Sequence, residues 1–293
     1  MKKVLLWFCI LCVCFAWIVV KRVDRHIRKS AQYPLSRQAQ YRFALKNHSN
    51  HPIKDAIFWT YAPVEQTQAQ FCVCLNASYP YQEVSDDFGN RMLRFSFRDF
   101  PPYATKIVTI TAQLHLAREP NQTFLNDSRA FLGPEPYLDL GNEEILQLAQ
   151  MLKGESAFRT TGNIFRWVAK NVRYAGYSDK IQGALYALKH RKGDCTEFMY
   201  LFVSLCRACG IPARGMAGYV CKEDRVLKAG DYHNWAEFYE NGTWKMADPQ
   251  KGVFMGNRAD YIAMKIIRKA QDDIVEQFDR FRCEGEGLKV KME

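Results

Sequence analysis

The stretch that decides the fold is Gly193-Asp194-Cys195-Thr196-Glu197, together with Tyr232-His233-Asn234-Trp235-Ala236-Glu237 and Trp244-Lys245-Met246-Ala247-Asp248. After Cys195, the apolar residues Phe198, Leu201, Phe202, Leu205 and Cys209 recur at helical spacing, and Gly210-Ile211-Pro212 supplies a Gly-then-Pro stop. Cys195 is therefore expected in the first turn of a buried helix. Unpaired backbone N–H groups and the positive end of the helix dipole favour a thiolate there, and one N–H can face an oxyanion. A cysteine at a helix start is by itself more often a small buried residue than a nucleophile. Its partners change that balance.

Those partners come from the segment around Glu240-Asn241-Gly242-Thr243, since Asn-Gly is the strongest short hairpin signal. If Asn241 and Gly242 form a two-residue turn, Glu240 faces Thr243 and Asp248 faces Trp235. His233 then lies on the same face as Asp248 and diagonal to it, about 7–8 Å away between backbones. A carboxylate so placed would hold the imidazole in one tautomer and leave its other nitrogen to take a proton from Cys195.

Four groups of residues carry a resemblance: Gly193-Asp194-Cys195; Gly210-Ile211-Pro212-Ala213-Arg214 with Gly218-Tyr219; His233-Asn234-Trp235-Ala236-Glu237; and Trp244 with Ala247-Asp248-Pro249. In order and spacing they resemble the transglutaminase-like superfamily over about residues 140–252. The resemblance implies a papain-like core with Cys195 as nucleophile, His233 as base and Asp248 as orienter. It also implies a polar oxyanion donor upstream of the cysteine, for which Gln182 is the nearest candidate, its alternative being a solvated helix residue. Trp235 and Trp244 are read either as walls of a substrate channel or as packing beside the hairpin. No acidic loop has calcium-ligand spacing, and neither Cys72 with Cys74 nor Cys206 with Cys209 has a second pair nearby to make a zinc site. No metal and no cofactor are expected.

The rest of the chain gives an α+β reading. Residues 30–135 are β-rich: Tyr41–Leu45, Arg91–Phe97 and Lys106–Leu116 alternate, with turn signals at Asn47–Pro52 and Phe88-Gly89-Asn90, which predicts a small antiparallel sandwich. Gly133-Pro134-Glu135-Pro136 breaks the pattern. Residues 136–256 form the expected catalytic core, with helices starting near Asn142, Thr161 and Ile181. Residues 257–293 are read as a helical tail, because Tyr261, Met264, Ile267, Ile274 and Phe278 are spaced as one apolar face over Asp260–Phe281.

Charge bears on the partners. The formal net charge is +10, but residues 1–29 hold seven basic residues against Asp24, so +6 of it lies there. A nucleic-acid function thereby loses most of its support. Val4–Val20 is an unbroken apolar run of 17 residues between Lys3 and Lys21, which reads as an uncleaved membrane anchor over residues 1–29. The basic residues that follow it favour a cytoplasmic C-terminal side by the positive-inside rule; the habit of short anchors preceding a single soluble body favours a periplasmic or extracytoplasmic one. The function expected is a membrane-anchored cysteine peptidase or amidohydrolase acting on a protein or peptide. Its alternatives are glutamine cross-linking and a catalytically idle scaffold.

Overall fold

Alternation builds the first sheet. Strand β1 (Leu35–Asn47) buries Ala39, Tyr41, Phe43 and Leu45 and leaves the residues between them more exposed, the two-residue period of a half-buried strand. It is followed by β2 (Ile53–Ala62), β3 (Gln70–Ala77), β4 (Gln82–Ser85), β5 (Arg91–Phe100) and β6 (Thr105–Leu116). β6 pairs antiparallel with β1 and β3, while β5 pairs antiparallel with β2 and β4. The two sheets meet through aromatic rings, with Phe43 and Phe58 centroids 5.0 Å apart and Phe58 and Phe95 5.8 Å apart. This is the sandwich that the alternating segments predict. The computed structural model describes residues 31–122, 128–268 and 280–293, so the expected anchor, residues 4–20, lies outside them.

Helical spacing takes over with α1 (Glu143–Leu152), whose first turn is capped by the Asn142 side chain, and α2 (Ala157–Asn171), capped by Ser156. After the short β7 (Arg173–Tyr174) come α3 (Gly183–His190), β8 (Lys192–Gly193) and α4 (Cys195–Ala208). α4 is apolar almost all round because it is covered almost all round. The other three helices flank it, and a sheet lies beneath it, where Phe202 meets Phe238 at 6.2 Å between centroids.

That sheet contains β9 (Ala213–Val220), β11 (Tyr232–Glu240), β12 (Thr243–Asp248), β13 (Val253–Phe254) and β14 (Tyr261–Ile267), in the order β13-β12-β11-β9-β14. Between β9 and β11 the short β10 (Arg225–Val226) crosses to the sandwich and pairs with β1.

The C-terminal expectation is corrected where residues are described; Ile274 and Phe278 lie outside them. Tyr261–Ile267 is a strand, not the start of a helix. Tyr261, Met264 and Ile267 do fit one helical face, but Ile262, Ala263 and Ile266 between them are also buried. A short run that is apolar except for Lys265 and buried on both sides suits a strand covered on both faces. One side of β14 joins the sandwich core through Ile262 and Met264, and the other packs with Trp235 and Met246 through Tyr261, Ala263 and Ile266. The chain ends in two further strands rather than a tail: β15 (Phe281–Glu284) pairs with β2, and β16 (Leu288–Met292) pairs with β1.

Candidate active site

The start of α4 is fixed by a reciprocal cap. Asp194 Oδ1 accepts the Thr196 N–H at 2.7 Å, and Glu197 Oε2 accepts the Asp194 N–H at 3.0 Å. Glycine is required at 193, since a Cβ there would sit 2.3 Å from Glu197 Cβ. Glu197 is buried; its other oxygen accepts the Gln182 N–H at 3.0 Å and lies 3.4 Å from the Gly183 N. Burial pushes its carboxyl up, against the pull of these N–H donors. Cys195 is the first residue of the helix, as the sequence predicts, and its N–H has no place in the helical ladder.

The hairpin also forms as read. Asn241 and Gly242 have φ of 51° and 80°, the left-handed pair that a type I′ turn needs. Pairing runs from Glu240 with Thr243 to Ala236 with Ala247. At its open end His233 Nε2 lies 2.7 Å from Asp248 Oδ2, with both side chains buried. Asp248 also accepts the Tyr261 hydroxyl at 2.9 Å and the Lys251 N–H at 3.1 Å. Nε2 therefore donates to the carboxylate, and Nδ1 is the ring nitrogen left for chemistry.

Tyr261 is the residue that sequence reasoning missed. Its spacing fits a helix face, and no motif ties it to Asp248. A structural signal lies opposite His233, where β9 presents Gly218. A Cβ on Gly218 would fall 1.9 Å from the Ile262 carbonyl oxygen. Only glycine lets β14 come this close, bringing Tyr261 with it.

Cys195 and His233 line one cleft of about 950 Å³. The Cys195 thiol is pushed up to about 11 by burial; the Asp194 and Asp248 carboxylates push the same way, while the Asn234 N–H and the Thr196 hydroxyl oppose them. This corrects the expectation of a resting thiolate. The helix start supplies hydrogen-bond donors, but it is buried and its cap is itself an anion. The arrangement is a thiol in the same cleft as an imidazole that is hydrogen-bonded to a carboxylate.

The other predicted residues lie elsewhere. Gln182 is exposed at the start of α3, is not among the residues lining the cleft, and touches the site only through its backbone N–H. Trp235 and Trp244 are buried and do not line the cleft. Trp235 packs edge-on against Tyr261 at 5.1 Å, and Trp244 against Phe131 at 5.3 Å with the Arg214 guanidinium 4.1 Å above its ring. Packing, not channel lining, explains both. Arg214 and Glu237 pair across β9 and β11 at 2.7 Å, and Arg258 takes the other Glu237 oxygen. Burial pushes Glu237 up, but the two guanidinium groups outweigh it and hold the carboxyl below its ordinary range. Among the described residues no group of three or more His, Cys, Asp or Glu could hold a metal ion, and no helix is long and apolar enough to cross a membrane.

Residues 147–249 match the family model of the transglutaminase-like superfamily. Among solved structures, a candidate cysteine protease from Cytophaga hutchinsonii is similar at 20% identity and a TM-score of 0.59, over 88% of this chain and 92% of that one. The periplasmic domain of TgpA from Pseudomonas aeruginosa is similar at 15% identity and a TM-score of 0.40, over 70% of this chain and 90% of that one. No curated protein matches the chain. The fold is thus mixed α+β with a transglutaminase-like core.

Proposed function

We propose that this protein is a thiol amidohydrolase or peptidase in which Cys195 attacks an amide carbonyl. The observation that carries the reading is the buried His233–Asp248 pair at 2.7 Å, in the same cleft as a cysteine that begins a helix. In the first step the Cys195 sulfur bonds to the carbonyl carbon while its proton passes to His233 Nδ1. The C–N bond then breaks, and the leaving nitrogen takes that proton. Water attacks the resulting thioester through the same base, releasing a carboxylic acid and restoring the thiol. In this reading the Cys195 N–H, unused in the helical ladder, donates to the oxyanion. Asp248 stabilises the imidazolium without becoming protonated.

The same reading keeps the catalytic body tethered to a membrane through residues 4–20, an apolar run bounded by lysines, with the body on the extracytoplasmic side. The activity is tested by incubating the full-length chain, in detergent, with a mixture of capped peptides and scoring new termini by mass spectrometry. New amino and carboxyl termini with the wild type, absent with Cys195→Ala, are expected. Peptides left intact by the wild type would remove the hydrolase reading.

A further inference from the structure

One side of the cleft shows aromatic surface to solvent. Tyr137, Tyr174, Tyr177 and Ile181 are large apolar side chains left exposed, Tyr177 by as much as 73%, and all four line the cleft that holds Cys195. A single exposed tyrosine is ordinary, but several in one concavity mark a surface that a ligand covers.

These side chains are fixed relative to the nucleophile. Tyr174 pairs with Gly193, two residues before Cys195. The Ala175 N–H donates to the Gly193 carbonyl at 2.9 Å, the Ser178 N–H to Asp194 Oδ2 at 3.1 Å, and the Gln182 N–H to Glu197 Oε1 at 3.0 Å. Backbone donors thus pin residues 174–182 to the start of α4, while Tyr174, Tyr177 and Ile181 stay uncovered. Tyr137 joins them from the chain before α1: its carbonyl accepts the Ala184 N–H at 2.8 Å, and its ring lies 5.6 Å from that of Tyr200. Its φ is 68°, uncommon for a residue with a side chain and found most often where a ligand is held.

The side of the cleft that leads into His233 differs in kind. There Arg225 pairs with Asp231 at 2.7 Å, and the Arg280 guanidinium lies 5.3 Å from the Tyr232 ring centroid. It offers charge where the helix side offers rings. His233 gives its proton to the leaving nitrogen, so the amine half of a substrate belongs on the His233 side and the acyl half runs past Cys195 towards residues 174–181.

We propose that this aromatic side is a specificity subsite, taking an aromatic or large aliphatic side chain from the acyl half of the scissile amide. The proposal rests on Cys195 being the nucleophile.

Three chloromethyl ketones test it on the full-length protein: those of acetyl-Ala-Phe, acetyl-Phe-Ala and acetyl-Ala-Ala. In each, the Cys195 sulfur bonds to the methylene carbon, chloride leaves and the thiol proton goes to His233. Rates at Cys195 from peptide mass mapping are divided by rates at Cys74, which is exposed, to cancel intrinsic reactivity. One of the two Phe probes should exceed the Ala-Ala probe by about tenfold or more, the worth of covering much of a phenyl ring. Tyr177→Ser should cut that preference by about threefold. Replacing Tyr174 and Tyr177 together by Ser should abolish it, and Tyr177→Phe should keep it, because the ring and not the hydroxyl makes the contact. The exposure of Tyr177 keeps Tyr177→Ser decisive even if the double replacement unfolds. Equal corrected rates for the three probes in the wild type, or a preference untouched by Tyr177→Ser, would overturn the proposal. If His233→Ala leaves the labelling of Cys195 unchanged for every probe, the nucleophile reading fails first, and this outcome is distinct from an absent Phe preference.

Discussion

Asp248 is held by two strands of one sheet that reach it in different ways. β11 delivers His233 through a two-residue turn, so the contact is local and its register follows from Asn241 and Gly242. β14 delivers the Tyr261 hydroxyl from the other edge of the sheet order, through a close approach that Gly218 permits. The first tie was written in turn chemistry and the second in tertiary packing. The base is therefore oriented by a contact local in the chain, and the orienter is steadied by one that needs β14 to pair with β9.

Changes on the two sides should separate these contributions. Asp248→Asn removes the acceptor common to both and should lower kcat/KM by about a thousandfold or more, checked on whichever peptide the wild type cleaves, with circular dichroism unchanged. Glu237→Ala leaves the buried Arg214 and Arg258 uncompensated and should cost about 3–5 kcal/mol in a urea titration. Because the Glu237 carboxyl is held low, its contribution is complete above the unfolded carboxylate range. It is lost as pH falls through the folded value, so wild type and Glu237→Ala should converge in stability only in strong acid.

On the β14 side, Gly218→Ala should cost about 1–3 kcal/mol, because the Ile262 carbonyl must move. A stability equal to wild type would show that β14 does not depend on that approach. Tyr261→Phe is the mildest change. It should lower kcat by about fivefold with KM nearly unchanged, the loss of one hydrogen bond to an already oriented carboxylate. A rise in KM alone would place Tyr261 in substrate binding instead.

The sequence made the local tie readable and left the distant one hidden. Asn241-Gly242 sets the hairpin register, and the apolar spacing after Cys195 marks the helix start. The sandwich strands were readable by alternation. Tyr261–Ile267 was not, because a buried strand covered on both faces has no alternation, and its apolar residues include a helical subset. Gln182 shows a different limit. The family resemblance implies a polar donor upstream of the cysteine, and Gln182 is the nearest, but α3 begins there, and its side chain faces solvent while Glu197 claims its backbone. The thiol's ionisation was also beyond sequence reasoning, since the helix start and its donors were visible but the desolvation that outweighs them was not.

With His233 replaced by Ala, nothing takes the thiol proton, so iodoacetamide should modify Cys195 slowly at pH 7. Its rate should rise about tenfold per pH unit until the thiol value of about 11 is approached. A plateau near pH 7 would mean that the thiolate is stabilised without the histidine.

The most direct test of the central claim is to trap the acyl group. The full-length protein is mixed with p-nitrophenyl acetate, quenched in acid within seconds, and digested for peptide mass mapping of wild type and His233→Ala. The account predicts an acetyl thioester on Cys195 that forms faster than on exposed Cys74 and is lost on replacing His233. Acetylation that favours Cys74, or labelling of Cys195 indifferent to His233, would contradict it.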